Sequence, residues 1–155
     1  MIQRIQSVYL FLTTFLSFLF PGGKMLKFTD ASGNLLGVTF RGIYRYGAGS
    51  PPELLGGILP LLSLILLIAV FSLISIFFFR NRKLQMKLTA ILLGLSAVVI
   101  IVTVVYAVLI MRKYDSDIIW SFRMFLPLLI PVCLFFAYRG IKKDDDLVES
   151  YDRLR

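Results

Sequence analysis

The stretch FFFRNRKLQMKL, residues 77–88, places four cationic side chains within eight positions, between two long apolar segments. On either side of it, residues 54–79 and 88–111 contain no charged residue. Crossing a bilayer takes about 20 mostly apolar helical residues, so both segments predict membrane-spanning helices. The quoted stretch is therefore interpreted as the short turn between two spans.

Two further segments predict spans. Residues 118–139 are mostly apolar, with Arg123 near their start and Arg139 at their end, and residues 2–20 form a shorter apolar run. A cleaved signal peptide is the rival interpretation of the latter, but SFLFPGGK, residues 17–24, has bulky residues where cleavage needs small ones. We predict an all-α membrane protein, a single domain over residues 1–155 that forms a four-transmembrane-helix bundle with a small external β-hairpin.

The composition excludes several classes of function. Hydrophobic residues make up 58% of the chain, and the mean hydropathy is +0.84. A soluble domain of 155 residues could not bury the apolar surface that this composition implies. There is no His and one Cys, Cys133, so no disulfide framework, Cys/His metal site or His-dependent catalysis is available within one chain. We therefore expect no enzymatic activity, no catalytic residue, no cofactor and no metal.

The charge distribution predicts orientation. The net charge of +8 would suggest nucleic acid for a soluble protein, but in a membrane protein cations flank spans and contact anionic lipid. The turn carries Arg80, Arg82, Lys83 and Lys87 and no acid, which predicts that it is cytoplasmic. Four spans then place both termini in the cytoplasm. We expect no nucleic-acid binding.

The segment from residue 21 to residue 53 has a different period. VTFRGIYRY, residues 38–46, alternates along its length, with Val38, Phe40, Tyr44 and Tyr46 predicted on one face. KMLKFT, residues 24–29, is a candidate partner strand, and DASGN between them is rich in turn formers. The pattern predicts an external β-hairpin; an irregular loop on the bilayer is the alternative.

The spans offer few candidate sites. Apart from Arg4 and Arg139 at the ends of the predicted spans, Arg123 is the one charged residue within them, and it is close enough to the span's end to serve as an interfacial anchor. Pro60, Pro127 and Pro131 are interpreted as structural kinks. A stripe of small residues, Ala90, Gly94 and Ala97, is expected to pack inside the bundle, with a dimer contact as the alternative.

The tail, residues 140–155, is polar and contains Asp144, Asp145 and Asp146, followed by apolar residues at helical spacing. We predict that it folds back over the cationic turn and presents its apolar residues to a partner; the alternative is a free tail whose aspartates are neutralised locally by Lys142 and Lys143. The candidate partner or lipid contacts are Arg80, Arg82, Lys83, Lys87, Asp144, Asp145, Asp146, Leu147, Tyr151 and Leu154, with Val148 on the same apolar face.

Three stretches carry a resemblance to a known family: MIQRIQSVYL at residues 1–10, NRKLQ at 81–85, and KKDDDLVESYDRLR at 142–155. Together they resemble small four-span membrane proteins of Bacteroidota described as a domain of unknown function. The resemblance implies a bacterial inner-membrane location and supports the predicted topology. It implies no activity or ligand.

These observations lead to two hypotheses about function. The preferred one is a non-enzymatic accessory or scaffold subunit of the inner membrane that binds another membrane or cytoplasmic protein as well as lipid. The alternative is a small transporter, channel or lipid-handling protein that works as a homo-oligomer, because the spans of one chain contain no acidic residue.

Overall fold

The computed structural model describes residues 5–47, 51–78 and 81–153, with the backbone alone for residues 148–153. Four α-helices and five β-strands lie in these ranges. In chain order they are α1 (Ile5–Leu19), β1 (Leu26–Asp30), β2 (Leu35–Thr39), β3 (Gly42–Tyr46), β4 (Glu53–Gly56), α2 (Leu59–Phe77), α3 (Arg82–Tyr114), β5 (Ser116–Ile119) and α4 (Leu126–Arg153), the last preceded by a 3₁₀ turn at Phe122–Phe125.

The helices pack side by side, each against its neighbours in the chain, and α1 also packs against α4. Helix α3 begins where the Asn81 side chain accepts a hydrogen bond from the Leu84 amide, at 3.2 Å, and it ends at Asp115 in a left-handed conformation. Pro60 lies in the first turn of α2, where a missing amide hydrogen costs nothing. Pro131 lies inside α4, which continues through it.

The predicted fold class, an all-α bundle of four spans with a hairpin, is wrong. Of the described helices, three are long and apolar enough to cross a membrane: Leu59–Phe77, Arg82–Tyr114 and the segment Phe122–Leu147. Helix α1 is apolar but has 15 residues, about 22 Å at 1.5 Å per residue, against a hydrocarbon core of about 30 Å. The three long apolar helices are compatible with a membrane protein.

The second error is the hairpin, because the structure has a five-stranded antiparallel sheet in the order β4-β3-β2-β1-β5. The predicted single strand over residues 38–46 is two strands, β2 and β3, with Phe40 and Arg41 in a tight turn between them. Gly42 permits this turn through a φ of 144°. Because Val38 then pairs with Ile43 and Tyr44 with Gly37, Val38 and Tyr44 lie on opposite faces instead of one.

The two outer strands of the sheet come from residues predicted to be helical. Strand β4 includes Leu54, the predicted start of the second span, and β5 includes Ile118, the predicted start of the fourth. Apolar residues at these positions suit either structure, and the free edges of β3 and β1 supply backbone hydrogen-bond partners for β4 and β5. The connection between α1 and α2 and the connection between α3 and α4 therefore contribute strands to the same sheet.

Several polar side chains on the helices point inward beside the apolar core, and many large apolar side chains point outward. Thr13, Ser17, Ser72, Gln85 and Thr89 are fully buried. Exposed apolar side chains occur on all four helices, including Phe11, Phe15, Phe71, Ile101 and Phe135. A surface of this kind is typical of contact with lipid, and hydroxyl and amide groups join the helices inside.

Two of the inward polar groups connect helices directly. The Ser72 hydroxyl donates to the Leu10 carbonyl at 2.8 Å, joining α2 to α1, and Gln85 Nε2 donates to the Ser75 carbonyl at 3.0 Å, joining α3 to α2. The small-residue stripe does not take part. Ala90, Gly94 and Ala97 are exposed, and a Cβ at Gly94 would contact nothing within 4 Å, so the expected internal packing is wrong.

Candidate functional site

The cationic turn and the tail meet at one end of the helices, which we call the basic end. Helix α4 does not stop at residue 139, where the last span was predicted to end; it continues without a break to Arg153. Arg82 Nη1, at the start of α3, donates a 2.9 Å hydrogen bond to the Asp144 carbonyl oxygen. The start of α3 is therefore level with Asp144, and residues 145–153 extend about 13 Å beyond it.

This geometry corrects the predicted docking of the tail. The tail does not fold back over the turn, because its backbone up to Arg153 is part of helix α4. Arg82 contacts the Asp144 backbone and not its carboxylate, and in the part of the chain that the structure describes the ion pairs formed are those of Arg45 with Asp30 and Glu53. We call residues 144–153 of α4 the acidic extension.

A cleft of about 540 Å³ opens beside the acidic extension, between α1 and α4. We call it the basic-end cleft. Three cations and one acid line it with apolar side chains, the lining residues being Ile5, Gln6, Tyr9, Arg82, Phe136, Arg139, Gly140, Lys143, Asp144 and Leu147. Cations above an apolar wall suit an anionic group attached to an apolar body.

Close approach of α1 and α4 shapes this cleft. A Cβ at Gly140 would lie 3.4 Å from the Gln6 Cβ, so glycine lets the two helices touch at this level. The rings of Tyr9 and Phe136 stack with centroids 5.5 Å apart. Gln6 is 4% exposed, and its Oε1 has no hydrogen-bond partner within the described residues.

Of the predicted contact residues, Arg82, Asp144 and Leu147 line the cleft. Lys83 and Lys87 are exposed on α3 and do not line it, and Asp145 and Asp146 lie on the acidic extension. Arg80 and Leu154 lie outside the described residues, as do the side chains of Val148 and Tyr151.

The sequence contains a signal for the cleft that the prediction missed. Phe136, Arg139, Gly140, Lys143, Asp144 and Leu147 recur at intervals of three or four residues, the spacing of one helix face. Dividing the chain at residue 139, where the composition becomes polar, hid this continuous face. Tyr9 and Gln6 carried no comparable signal, because α1 reads as an ordinary apolar helix.

The opposite end of the helices carries the sheet and most of the remaining acids. Asp30, Asp115 and Asp117 line an open cleft together with Arg112. Over the described ranges, no group of three or more His, Cys, Asp or Glu side chains is arranged to hold a metal ion. Arg123 Nη1 donates to the Leu19 carbonyl at 2.8 Å, so this arginine joins the start of α4 to the end of α1.

Comparison with known proteins gives one match. Residues 2–154 match the model of a family described as a domain of unknown function, DUF4293. No curated protein and no solved structure matches the chain. The family match spans the helices, the sheet, the basic-end cleft and the acidic extension.

Proposed function

The chain belongs to this family of unknown function. We propose that it is a non-enzymatic membrane protein that acts as an accessory subunit and binds a protein partner through the acidic extension. The observation that carries the proposal is the continuation of α4 past Arg82. A helix that continues about 13 Å past the Arg82 contact presents a partner with a preformed surface, so little ordering entropy is lost on binding.

The chemistry of the partner follows from charge. Five of the nine acidic residues of the chain lie between Asp144 and Asp152, although the chain as a whole has a net charge of +8. A segment rich in Lys or Arg, belonging to a membrane or cytoplasmic protein, would complement this surface. Exposed ion pairs contribute only about 0–1 kcal/mol each, so they would steer and select a partner and add little to the stability of the fold.

The location we propose is the bacterial inner membrane, with the basic end in the cytoplasm. The inner membrane is the location that the resemblance to Bacteroidota proteins implies, and the apolar outer surface of the helices supports a membrane setting. Ile5 and Asp144 line the same cleft, so both ends of the described chain lie at the basic end. The cations of the turn favour the cytoplasmic side for it.

A non-enzymatic role rests on the residue types available. The sequence has no His to act as a general base near neutral pH. Its single thiol, Cys133, is buried on α4. Binding is therefore the class of activity that the remaining residues support.

The partner proposal is tested by site-specific photo-crosslinking in the native host. A crosslinking amino acid at Lys142, which is exposed beside the acidic extension, should capture one specific protein, and one at Ser32 on the outer turn should not. Replacing Asp144, Asp145 and Asp146 by Asn should lower capture in isolated membranes about 3- to 30-fold at low salt, the equivalent of a few weak surface pairs. The loss should shrink at high salt because exposed charges are screened.

The matched control is Asp115→Asn with Asp117→Asn, which removes acids at the other end and should leave capture unchanged. Thermal unfolding of the triple variant should remain close to that of the unmodified protein. Full capture by the triple variant at low salt would refute the proposal. Capture of nothing but a second copy of the chain would also refute it and favour the oligomeric alternative.

Orientation is tested separately by labelling single cysteines in a Cys133→Ala background with an impermeant maleimide. Ser32→Cys lies in an exposed turn between β1 and β2 and should be labelled in intact cells. Asn81→Cys lies in the exposed turn before α3 and should be labelled only after the membrane is opened. Labelling of Asn81→Cys in intact cells would reverse the proposed orientation.

The basic-end cleft supports lipid handling as a second candidate function. Its cations and its stacked Tyr9 and Phe136 rings suit an anionic lipid. Arg139→Gln with Lys143→Gln should then reduce the anionic lipid retained by the purified protein in native mass spectrometry. Unchanged retention would remove this candidate without affecting the partner proposal.

A further inference from the structure

A second cationic cleft lies at the opposite end of the molecule, where the sheet meets the helices. It has a volume of about 530 Å³, and we call it the outer cleft. It is lined by Gly23, Lys24, Lys27, Ser121, Phe122 and Arg123. These residues come from the connection after α1, from β1 and from the start of the α4 segment, so the outer cleft exists only in the folded chain.

The outer cleft has three cations and no acid among its lining residues. Throughout the described ranges, Arg45 is the cation that forms ion pairs, so no carboxylate neutralises Lys24, Lys27 or Arg123. Like charges placed together repel by about 1 kcal/mol or more per pair at close range near a protein surface. An anion in the cleft would remove this repulsion and form charge-assisted hydrogen bonds with ammonium and guanidinium groups.

Two of the three cations, Arg123 and Lys24, are held in place by other contacts. The guanidinium of Arg123 donates through Nη1 to the Leu19 carbonyl at 2.8 Å and packs over Gly23, where a Cβ would come within 2.9 Å of Arg123 Cζ. One donation leaves most of its N–H groups available to a ligand. The Lys24 ammonium lies 3.6 Å from the centre of the Tyr46 ring.

One further group in the lining lacks a partner. The Ser121 hydroxyl oxygen is buried and has no hydrogen-bond partner within the described residues. A hydroxyl can donate to an anionic oxygen. The lining therefore combines three positive charges with a neutral donor.

The surroundings of the outer cleft place it at the edge of the apolar surface. Phe122 begins the segment that is long and apolar enough to cross a membrane, and its side chain is 72% exposed. Next to it, the exposed ring of Trp120 stacks with Phe125, their centroids 6.1 Å apart. Exposed aromatic rings at the end of an apolar helix are typical of the headgroup region of a bilayer.

We propose that the outer cleft binds the phosphate of an anionic phospholipid from the adjacent leaflet, with Lys24, Lys27 and Arg123 as its ligands. Phe122 contacts the start of the acyl chains. The same cations would also suit a free phosphate, and the exposed Phe122 and Trp120 favour the lipid. The inference does not depend on the partner that we propose for the acidic extension at the other end.

The chain has a built-in probe for this site, because Trp120 is its single tryptophan and lies one residue before Ser121. The full chain is reconstituted in vesicles that contain either bromine-labelled phosphatidylglycerol or bromine-labelled phosphatidylcholine in an unlabelled phosphatidylcholine background. Trp120 fluorescence should be quenched at a lower mole fraction by the anionic lipid. We expect an about 5-fold preference, lost in Lys24→Gln/Lys27→Gln, since each phosphate contact to a cation is worth a few-fold in affinity.

The matched control is Lys83→Gln/Lys87→Gln, which removes the same charge at the basic end and should keep the preference. Lys27→Gln alone should reduce the preference partly, and this milder variant serves if the double variant is poorly folded. Equal quenching by the two lipids in the unmodified protein, or an unchanged preference in the cleft variants, overturns the proposal. Inorganic phosphate that abolishes the preference at millimolar concentration, and that shifts the thermal unfolding of the detergent-solubilised protein, would identify a free anion as the ligand instead of a lipid.

Discussion

Gly42→Ala is expected to destabilise the five-stranded sheet by about 2–4 kcal/mol, the combined cost of a strained backbone and of overpacking. Gly42 has a φ of 144°, and a Cβ there would lie 2.5 Å from the Gly56 carbonyl oxygen. That oxygen belongs to β4, the next strand, so it cannot move without breaking the pairing of β3 and β4. Thermal unfolding in one detergent and amide exchange across residues 35–56 measure the effect.

Two other glycines separate the causes. Gly33 has a φ of 79° but open space around it, so Gly33→Ala should cost about 1 kcal/mol from backbone strain alone. Gly57 has open space and no positive φ, so Gly57→Ala should be nearly neutral. If Gly42→Ala behaves like Gly33→Ala, the close packing of β3 on β4 is wrong.

Phe28→Ala is expected to cost about 3–5 kcal/mol, the usual loss for a fully buried Phe in a core. Phe28 lies in β1 opposite Leu36 of β2 and Ile118 of β5, and its side chain is fully buried. It belongs to the same continuous core as Leu126 and Ile110 at the ends of the helices. Its loss should therefore lower the unfolding temperature of the whole protein and not only loosen the sheet.

The neighbouring variant Thr29→Ala is the control, because Thr29 is partly exposed on the other face of β1. Thr29→Ala should change the free energy of unfolding by less than about 1 kcal/mol, as is usual for surface positions. Equal effects of the two substitutions would mean that the sheet is not packed against the helices.

The sheet shows where prediction from sequence stops. Alternation in residues 38–46 correctly indicated extended chain, but nothing local distinguishes one long strand from two short ones joined at Phe40 and Arg41. The deciding feature is the pairing of Val38 with Ile43, which brings buried side chains together on the helix-facing side. Residues 53–56 and 116–119 become strands because the edges of β3 and β1 are open beside them.

Helix α4 is a second case in which the local sequence did not predict the extent of an element. The change from apolar to polar composition at residue 139 indicates where the membrane-spanning part of the chain ends. The helix itself continues through this position. Ile141 remains fully buried past it, and Arg82 holds the backbone at Asp144. The basic-end cleft depends on these contacts between α1, α3 and α4, so its residues cannot be assembled from any one segment.

The sequence by itself determined the apolar character of the helices, the concentration of cations at one turn and the absence of histidine chemistry, because each of these depends only on which residues are present and how they are spaced. The tertiary structure alone decided that residues from two separate connections form one sheet, that the small-residue stripe faces outward, and that Lys24, Lys27 and Arg123 share a cleft. These features depend on contacts between residues far apart in the chain. Such contacts form only where the whole chain can satisfy backbone hydrogen bonds and bury apolar side chains at the same time.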